Sequence, residues 1–240
     1  MDSAYGALYR DLYERHWWWR AREGVILDAL RRHQPPARRP TILDVGCGDG
    51  LFFDRLAELG DVEGVEPDAS LVTPGNPWSS RIHVTTFDEH FAPGRRYSWI
   101  LMLDVLEHLR DPSAALRHAM SLLEPDGKLI VTVPAFRALW TRHDELNHHY
   151  TRYTRGALRD LTERAGLRVA EARYFFQWMF PVKLLVRLTE AMRPKRDALP
   201  GIPPSIVNSA LLTLSRVEYR LLSPMNVPFG GSLLMAATRA

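Results

Sequence analysis

Residues 40–60 read PTILDVGCGDGLFFDRLAELG, and they hold a strand, a glycine turn and a helix in 21 positions. Residues 41–45 are a short apolar run with β-branched members. Gly46, Gly48 and Gly50 then alternate with Cys47 and Asp49, and Leu51, Phe52, Leu56 and Leu59 recur at helical spacing until Gly60. Glycines at such a turn tolerate positive φ and let backbone approach a ligand, while the helix that follows presents unpaired N–H groups. An anionic ligand is therefore expected beside the turn. Twenty residues after Gly46, Glu66 ends a second apolar run, where a carboxylate can accept two hydrogen bonds from a ribose diol. Turn and acid together predict a nucleoside.

The spacing narrows the choice. A dinucleotide turn carries G-x-G-x-x-G or its alanine variant, with the third small residue allowing close helix–sheet packing, whereas this turn is G-x-G-x-G followed by Leu51 and Phe52. Asp44 in the strand would repel a pyrophosphate but suits an ammonium group. A nucleoside bearing a zwitterionic amino acid fits both observations.

LDVGCGDG followed by GVEPD resembles the opening motifs of the class I S-adenosylmethionine-dependent methyltransferases. IHVTTFDEHF, YSWILMLDVLEHLRDP and LLEPDGKLIVTVP are similar to the strands that follow in that family, in the same order. The resemblance covers residues 40–176 and resumes at the last strand. It implies an α/β fold, a Rossmann-like doubly wound seven-stranded sheet of order 3-2-1-4-5-7-6, with S-adenosyl-L-methionine as cofactor and S-adenosyl-L-homocysteine as product. By the same resemblance Asp44 would orient the methionine amino group. Gly46, Cys47, Gly48 and Gly50 would line the methionine and ribose, Glu66 would hold the ribose hydroxyls, Pro67 would touch adenine, Asp88 would meet the adenine amino group and Leu103 would offer its carbonyl.

In DVLEHL, Asp104 and Glu107 read as a capping box at a helix start, with Asp104 on the cofactor side. His108 can be catalytic, can close a helical turn against the pocket, or can join Glu107 on a divalent metal, as in the ubiquinone-biosynthesis O-methyltransferases this stretch also resembles. Ligands at adjacent positions point to different helix faces, so no metal is assigned.

Residues 128–135 read as the fifth strand, so residues 136–154 leave it at the carboxyl edge, where a doubly wound sheet holds its ligands. This loop contains TRHDELNHHYTRYT, rich in titratable groups. A general base is needed if an acceptor hydroxyl or ammonium must lose a proton, and histidine suits that near neutral pH. His143, His148 and His149 are the candidates, and Asp144 can orient one of them. Arg152 and Tyr153 can hold substrate or anchor the loop. Adjacent His148 and His149 point apart if extended, so at most one faces the pocket.

Residues 1–39 are expected to be a helical segment, in which Trp18 and Arg22 share a face and join the cofactor site; Arg22 can pair with the cofactor carboxylate or stack on an aromatic ring. Residues 40–176 form the cofactor-binding core and residues 231–240 the final strand. Between them, residues 177–230 contain two apolar runs at helical spacing, a helical insertion serving as a lid, a dimer surface or an interfacial membrane contact. Trp178, Met179 and Phe180 are expected nearest a hydrophobic or lipid-linked acceptor.

The whole, residues 1–240, reads as a single domain. Lys and Arg exceed Asp and Glu by 31 − 28 = 3, spread along the chain, which gives no basic arm for nucleic acid. The single cysteine, Cys47, allows no disulfide within the chain, and a reducing cytoplasm is the expected compartment. Methyl transfer to an oxygen or nitrogen of a small molecule, less favourably to carbon, is the expected activity. A non-catalytic binder of the cofactor and a nicotinamide-dependent reductase are the alternatives, the latter opposed by the glycine spacing.

Overall fold

The computed structural model describes residues 10–34, 39–190 and 201–240. Strands β1 (Thr41–Val45), β2 (Asp61–Glu66), β3 (Ile82–Val84), β4 (Tyr97–Leu103), β5 (Leu123–Pro134), β6 (Leu167–Phe175) and β7 (Ser232–Arg239) form one seven-stranded sheet. Its order, β3-β2-β1-β4-β5-β7-β6, is the one anticipated. Strands β1 to β5 are parallel, and β7 runs antiparallel between β5 and β6. The helices are α1 (Trp17–Arg32), α2 (Phe53–Ala57), α3 (Pro112–Leu122), α4 (Arg142–Leu146), α5 (Arg155–Arg164), α6 (Met179–Glu190) and α7 (Ser205–Leu222).

Alternation along the strands divides the core into two layers. Leu43, Val45, Ile100, Met102, Leu129 and Val131 pack against Leu116 and Ala119 of α3 and Leu158 of α5. Ile42, Leu101, Ile130 and Ala236 face the other way, onto Ile26 and Leu30 of α1 and Phe53 and Leu56 of α2. Gly64 of β2 lies under the glycine turn: a Cβ there would sit 2.5 Å from Cys47 Sγ and 2.7 Å from Phe53 Cζ, so only glycine lets the turn settle on the sheet. A third cluster joins Trp17 and Val25 of α1 to Phe175, Phe176 and Leu212 of α7. The Asn208 side chain completes that junction, accepting from Trp17 N–H at 2.9 Å and donating to the Arg15 carbonyl at 2.8 Å. The second helix of the insertion is thus built into the fold through the N-terminal segment.

Two local expectations need correction. The apolar run 51–59 yields only the short α2, because Gly46, Gly48 and Gly50 all adopt positive φ and the resulting tight turns consume residues through Phe52. Asp104 and Glu107 form no capping box. Residues 106–108 make a single 3₁₀ turn without a side-chain cap, and the helix that follows is capped by Asp111, whose Oδ1 accepts from Ala114 N–H at 3.1 Å. The box of that type lies instead at Thr141 and Asp144, where the loop after β5 folds into α4. Among the described residues no helix is long and apolar enough to cross a membrane.

Candidate active site

Register brings the site together. Val45 stands opposite Val65 and Met102, and Leu103 opposite Thr132, so Asp44, Glu66, Asp104 and Pro134 rise at one edge of the sheet. A cleft of about 550 Å³ opens over that edge. On one side the glycine turn forms its wall. Gly46 has φ +71°, and a Cβ there would meet Val105 Cγ2 at 2.9 Å. Glu66 is buried and ties the turn to β2, its Oε2 accepting from Gly48 N–H and its Oε1 from Asp68 N–H, both at 2.9 Å. A carboxylate has about four lone-pair sites, so two remain for a ligand.

Asp44 is buried under the same wall. Burial pushes its carboxyl up to about 7, opposed by the charge of Arg22 and assisted by that of Glu66. Arg22 reaches across from α1, pairing with Asp104 at 2.8 Å, donating to Thr132 Oγ1 at 3.1 Å and lying 5.7 Å from the centre of the Trp18 ring. Asp104 has φ 60°, a strained left-handed turn for a non-glycine residue, and this turn aims its carboxylate back at Arg22. Burial raises the Cys47 thiol far above its ordinary range, so it is a packing group on the cleft wall and not a thiolate.

The opposite wall is built by residues 141–153. Asp144 is 0% exposed and collects donors from three residues. Thr141 N–H reaches it at 2.9 Å, His149 Nδ1 at 2.8 Å, and Arg152 in a fork through Nε at 2.7 Å and Nη2 at 2.9 Å. Burial alone would raise this carboxyl, but the bonds from His149 and Arg152 hold it well below the usual carboxylate range. It is therefore an acceptor only, which places a proton on His149 Nδ1 and leaves Nε2 open. The His108 ring meets the His149 ring edge to face at 4.7 Å. Tyr153 anchors the loop, its hydroxyl donating to the Leu106 carbonyl at 3.1 Å and its backbone N–H to the Pro134 carbonyl at 3.0 Å.

Of the residues singled out in the sequence, Trp18, Arg22, Asp44, Gly46, Cys47, Gly48, Glu66, Leu103, Asp104, His108, His143, His149, Arg152 and Met179 line the cleft. Gly50 lies in the turn behind it, and Asp144 and Tyr153 support the wall from beneath. His148 adopts φ 56° and is not part of the lining. Pro67 and Asp88 lie outside the lining: Asp88 binds Thr86 Oγ1 at 2.6 Å and the His90 N–H at 2.9 Å, closing its own turn. Trp178 and Phe180 also turn away, because Trp178 donates to Ser215 Oγ at 3.2 Å and Phe180 packs on Phe136 and Phe229.

The glycine turn, Glu66 at the end of β2 and the sheet order agree with one family. The sequence profile described as a methyltransferase domain matches residues 18–172, more than half of the chain. The chain belongs to the class I S-adenosylmethionine-dependent methyltransferases. It is similar to the ubiquinone biosynthesis O-methyltransferase of Azorhizobium caulinodans, 33% identical over 130 residues that cover 46% of this chain and 49% of that protein. The namesake from Cereibacter sphaeroides is 34% identical over 101 residues, covering 37% and 39%. The chain thus spans about half or less of the length of these curated relatives. In fold it resembles a methyltransferase structure from Archaeoglobus fulgidus, with TM-score 0.57 and 14% identity over 90% of this chain and 94% of that one. One from Mesorhizobium loti has TM-score 0.53 and 16% identity over 88% and 96%.

Two residues of the site were not assigned to it from the sequence: Lys183, and Glu107, which was read as a cap or, with His108, as a divalent-metal ligand. Glu107 is 1% exposed, and its Oε2 has no partner. Burial, with the charge of Asp104 beside it, drives its pKa well up. Its ligand atoms lie within 4.8 Å of those of His108 and His149, the one arrangement among the described residues that offers three such atoms to a cation. Lys183 is the other, entering from α6. The D-x-x-E-H string held the signal for Glu107, whereas nothing in the apolar run 179–190 marked Lys183.

Proposed function

We propose that the chain transfers the methyl group of S-adenosylmethionine to a hydroxyl of a small molecule, with His149 as general base. The observation that carries this reading is the Asp144–His149 pair on the wall of the same cleft whose other wall is the glycine turn and Glu66. The acceptor oxygen attacks the sulfonium methyl carbon as the carbon–sulfur bond breaks; sulfur leaves as a neutral thioether, and the hydroxyl proton passes to His149 Nε2. Displacement of this kind depends on positioning, which the fixed walls supply. Oxygen is favoured over nitrogen because the relatives are named O-methyltransferases; those relatives are bacterial, and the single cysteine suits a reducing cytoplasm. Release of S-adenosylhomocysteine from the purified protein with a panel of phenols, but not with their methyl ethers, tests it.

The cofactor assignments have their own expected outcomes. Glu66→Ala is expected to weaken S-adenosylmethionine by about 1.5–3 kcal/mol, the range for a hydrogen-bond partner that is charged. Calorimetry showing parent-like affinity would remove Glu66 from the ribose. Asp44 leads to a pH dependence. With its carboxyl at about 7 in the free protein, a bound ammonium must draw the proton off, so binding below about pH 7 releases a proton and strengthens as pH rises. Above about pH 8 the cofactor's α-ammonium loses its own proton and affinity falls again. Titration in buffers of different ionisation heat measures the released proton; none at pH 6 would separate Asp44 from the ammonium.

A divalent cation on Glu107, His108 and His149 is a second reading, favoured by the unpartnered Glu107 oxygen. It would polarise the acceptor hydroxyl in place of the base. Turnover abolished by a chelator and restored by a divalent ion would select it over the base.

A further inference from the structure

Lys183 sits on the one side of α6 that faces inward. Met179, Lys183 and Arg187 follow one another four residues apart: the first two line the cleft, and Arg187 Nη1 donates to the Arg137 carbonyl at 3.0 Å and to that of Ala138. These bonds pin the helix to the turn after β5. Leu185 and Leu188 occupy the outer side and are exposed. The charged and titratable groups that face Lys183 are Arg152, Asp144, Asp104 and His143. Both carboxylates are already engaged, Asp144 in the Arg152 fork and Asp104 with Arg22. Among the described residues none forms an ion pair or hydrogen bond with Lys183.

Lys183 is only half-buried, and an ammonium partly withdrawn from water with no counter-charge on the protein is stabilised by whatever anion enters beside it. The two other cations of the cleft, Arg22 and Arg152, are neutralised by residues of the chain itself. Only Lys183 is left for a ligand. Burial, with Arg152 adding to it, has already lowered its pKa to about 8, the response of an ammonium lacking such a partner.

We infer that Lys183 is the anion-binding residue of the acceptor subsite, and that the acceptor is a hydroxylated acid whose carboxylate pairs with Lys183 Nζ while its hydroxyl faces His149. This rests on the methyl-transfer reading above and narrows its substrate class. The carboxylate could also belong to the methionine half of the cofactor, so the experiment separates the two sources.

Calorimetry on the full chain uses S-adenosylhomocysteine first. With that ligand saturating, 3,4-dihydroxybenzoate and its neutral isostere 3,4-dihydroxybenzamide follow, for the parent, Lys183→Gln and Lys183→Arg. The acid is expected to bind the parent about 10- to 100-fold more tightly than the amide, the weight of one charge-assisted hydrogen bond. Lys183→Gln should erase that preference, Lys183→Arg should keep it, and S-adenosylhomocysteine should bind all three alike. Equal affinity for acid and amide in the parent, binding of neither, or a preference that survives in Lys183→Gln overturns the assignment. So does a loss of S-adenosylhomocysteine affinity in Lys183→Gln, which would give the lysine to the cofactor. A parent that does not bind S-adenosylhomocysteine at all defeats the methyltransferase reading instead, and the two failures stay distinct.

Discussion

Replacing Asp144 by alanine is expected to lower the unfolding free energy by about 3–5 kcal/mol, the penalty for breaking a buried ion pair from one side. Removing the carboxylate leaves the Arg152 guanidinium, 3% exposed at its side chain, with only the Ala135 carbonyl as a partner. It also frees His149 and uncaps α4. The pH dependence follows from the depressed Asp144 carboxyl. A group ionised more readily in the folded than in the unfolded chain stabilises fully above its unfolded value, about 3.9, and its contribution fades as pH falls toward the folded value. The difference between parent and variant should therefore be complete at pH 7 and shrink below about pH 4. Urea unfolding at both pH values measures it. Asp144→Ala combined with Arg152→Met removes both charges and should recover most of the loss. If the double variant is as unstable as the single, the deficit comes from packing or capping and not from the stranded cation.

The pair also shows what a sequence can and cannot disclose. Strand, glycine turn and Glu66 are local features, each fixed by residues within about twenty positions of the next, and their spacing carried over directly into the sheet edge. Asp104 was different. Its spacing to Glu107 matches a cap, yet its partner is Arg22, 82 positions earlier, and what turns the carboxylate that way is a left-handed backbone that no composition announces. Phe136 and Phe176, just beyond β5 and β6, share that conformation, so these strand exits bend in a manner their residue types oppose. Asp88, expected at adenine, instead closes its own turn through a hydroxyl and an N–H and is not part of the cleft lining. Trp178 and Phe180 had the right address in the chain, but with α6 turned as it is, it presents Met179 and Lys183 to the cleft. Helix rotation is set by tertiary packing, here of Phe180 on Phe136 and Phe229, and the apolar pattern alone left it open.

His149→Ala is expected to reduce kcat by about 10²- to 10⁴-fold, the span for loss of a general base, while leaving S-adenosylhomocysteine affinity as in the parent. The three histidines of the loop are not equivalent. His148 stands in a left-handed turn off the cleft, and its alanine variant should turn over normally. His143 lines the cleft, but burial together with the nearby Lys183 lowers its pKa, and its ring lies beside the Asn147 amide without a carboxylate to fix a tautomer. Only His149 has that carboxylate, at 2.8 Å, on a residue itself locked by Arg152 and by the backbone of Thr141. Orientation of the base by a second group is what distinguishes a working proton acceptor from a bystander. The measurement is single-turnover methyl transfer to the acceptor that the phenol panel identifies, with added imidazole as a rescue. A fall in kcat for His149→Ala that imidazole partly restores supports the base. Full turnover in that variant would leave alignment of sulfonium and oxygen as the whole of the catalysis, with Asp144 and Arg152 serving only to hold the wall of the cleft.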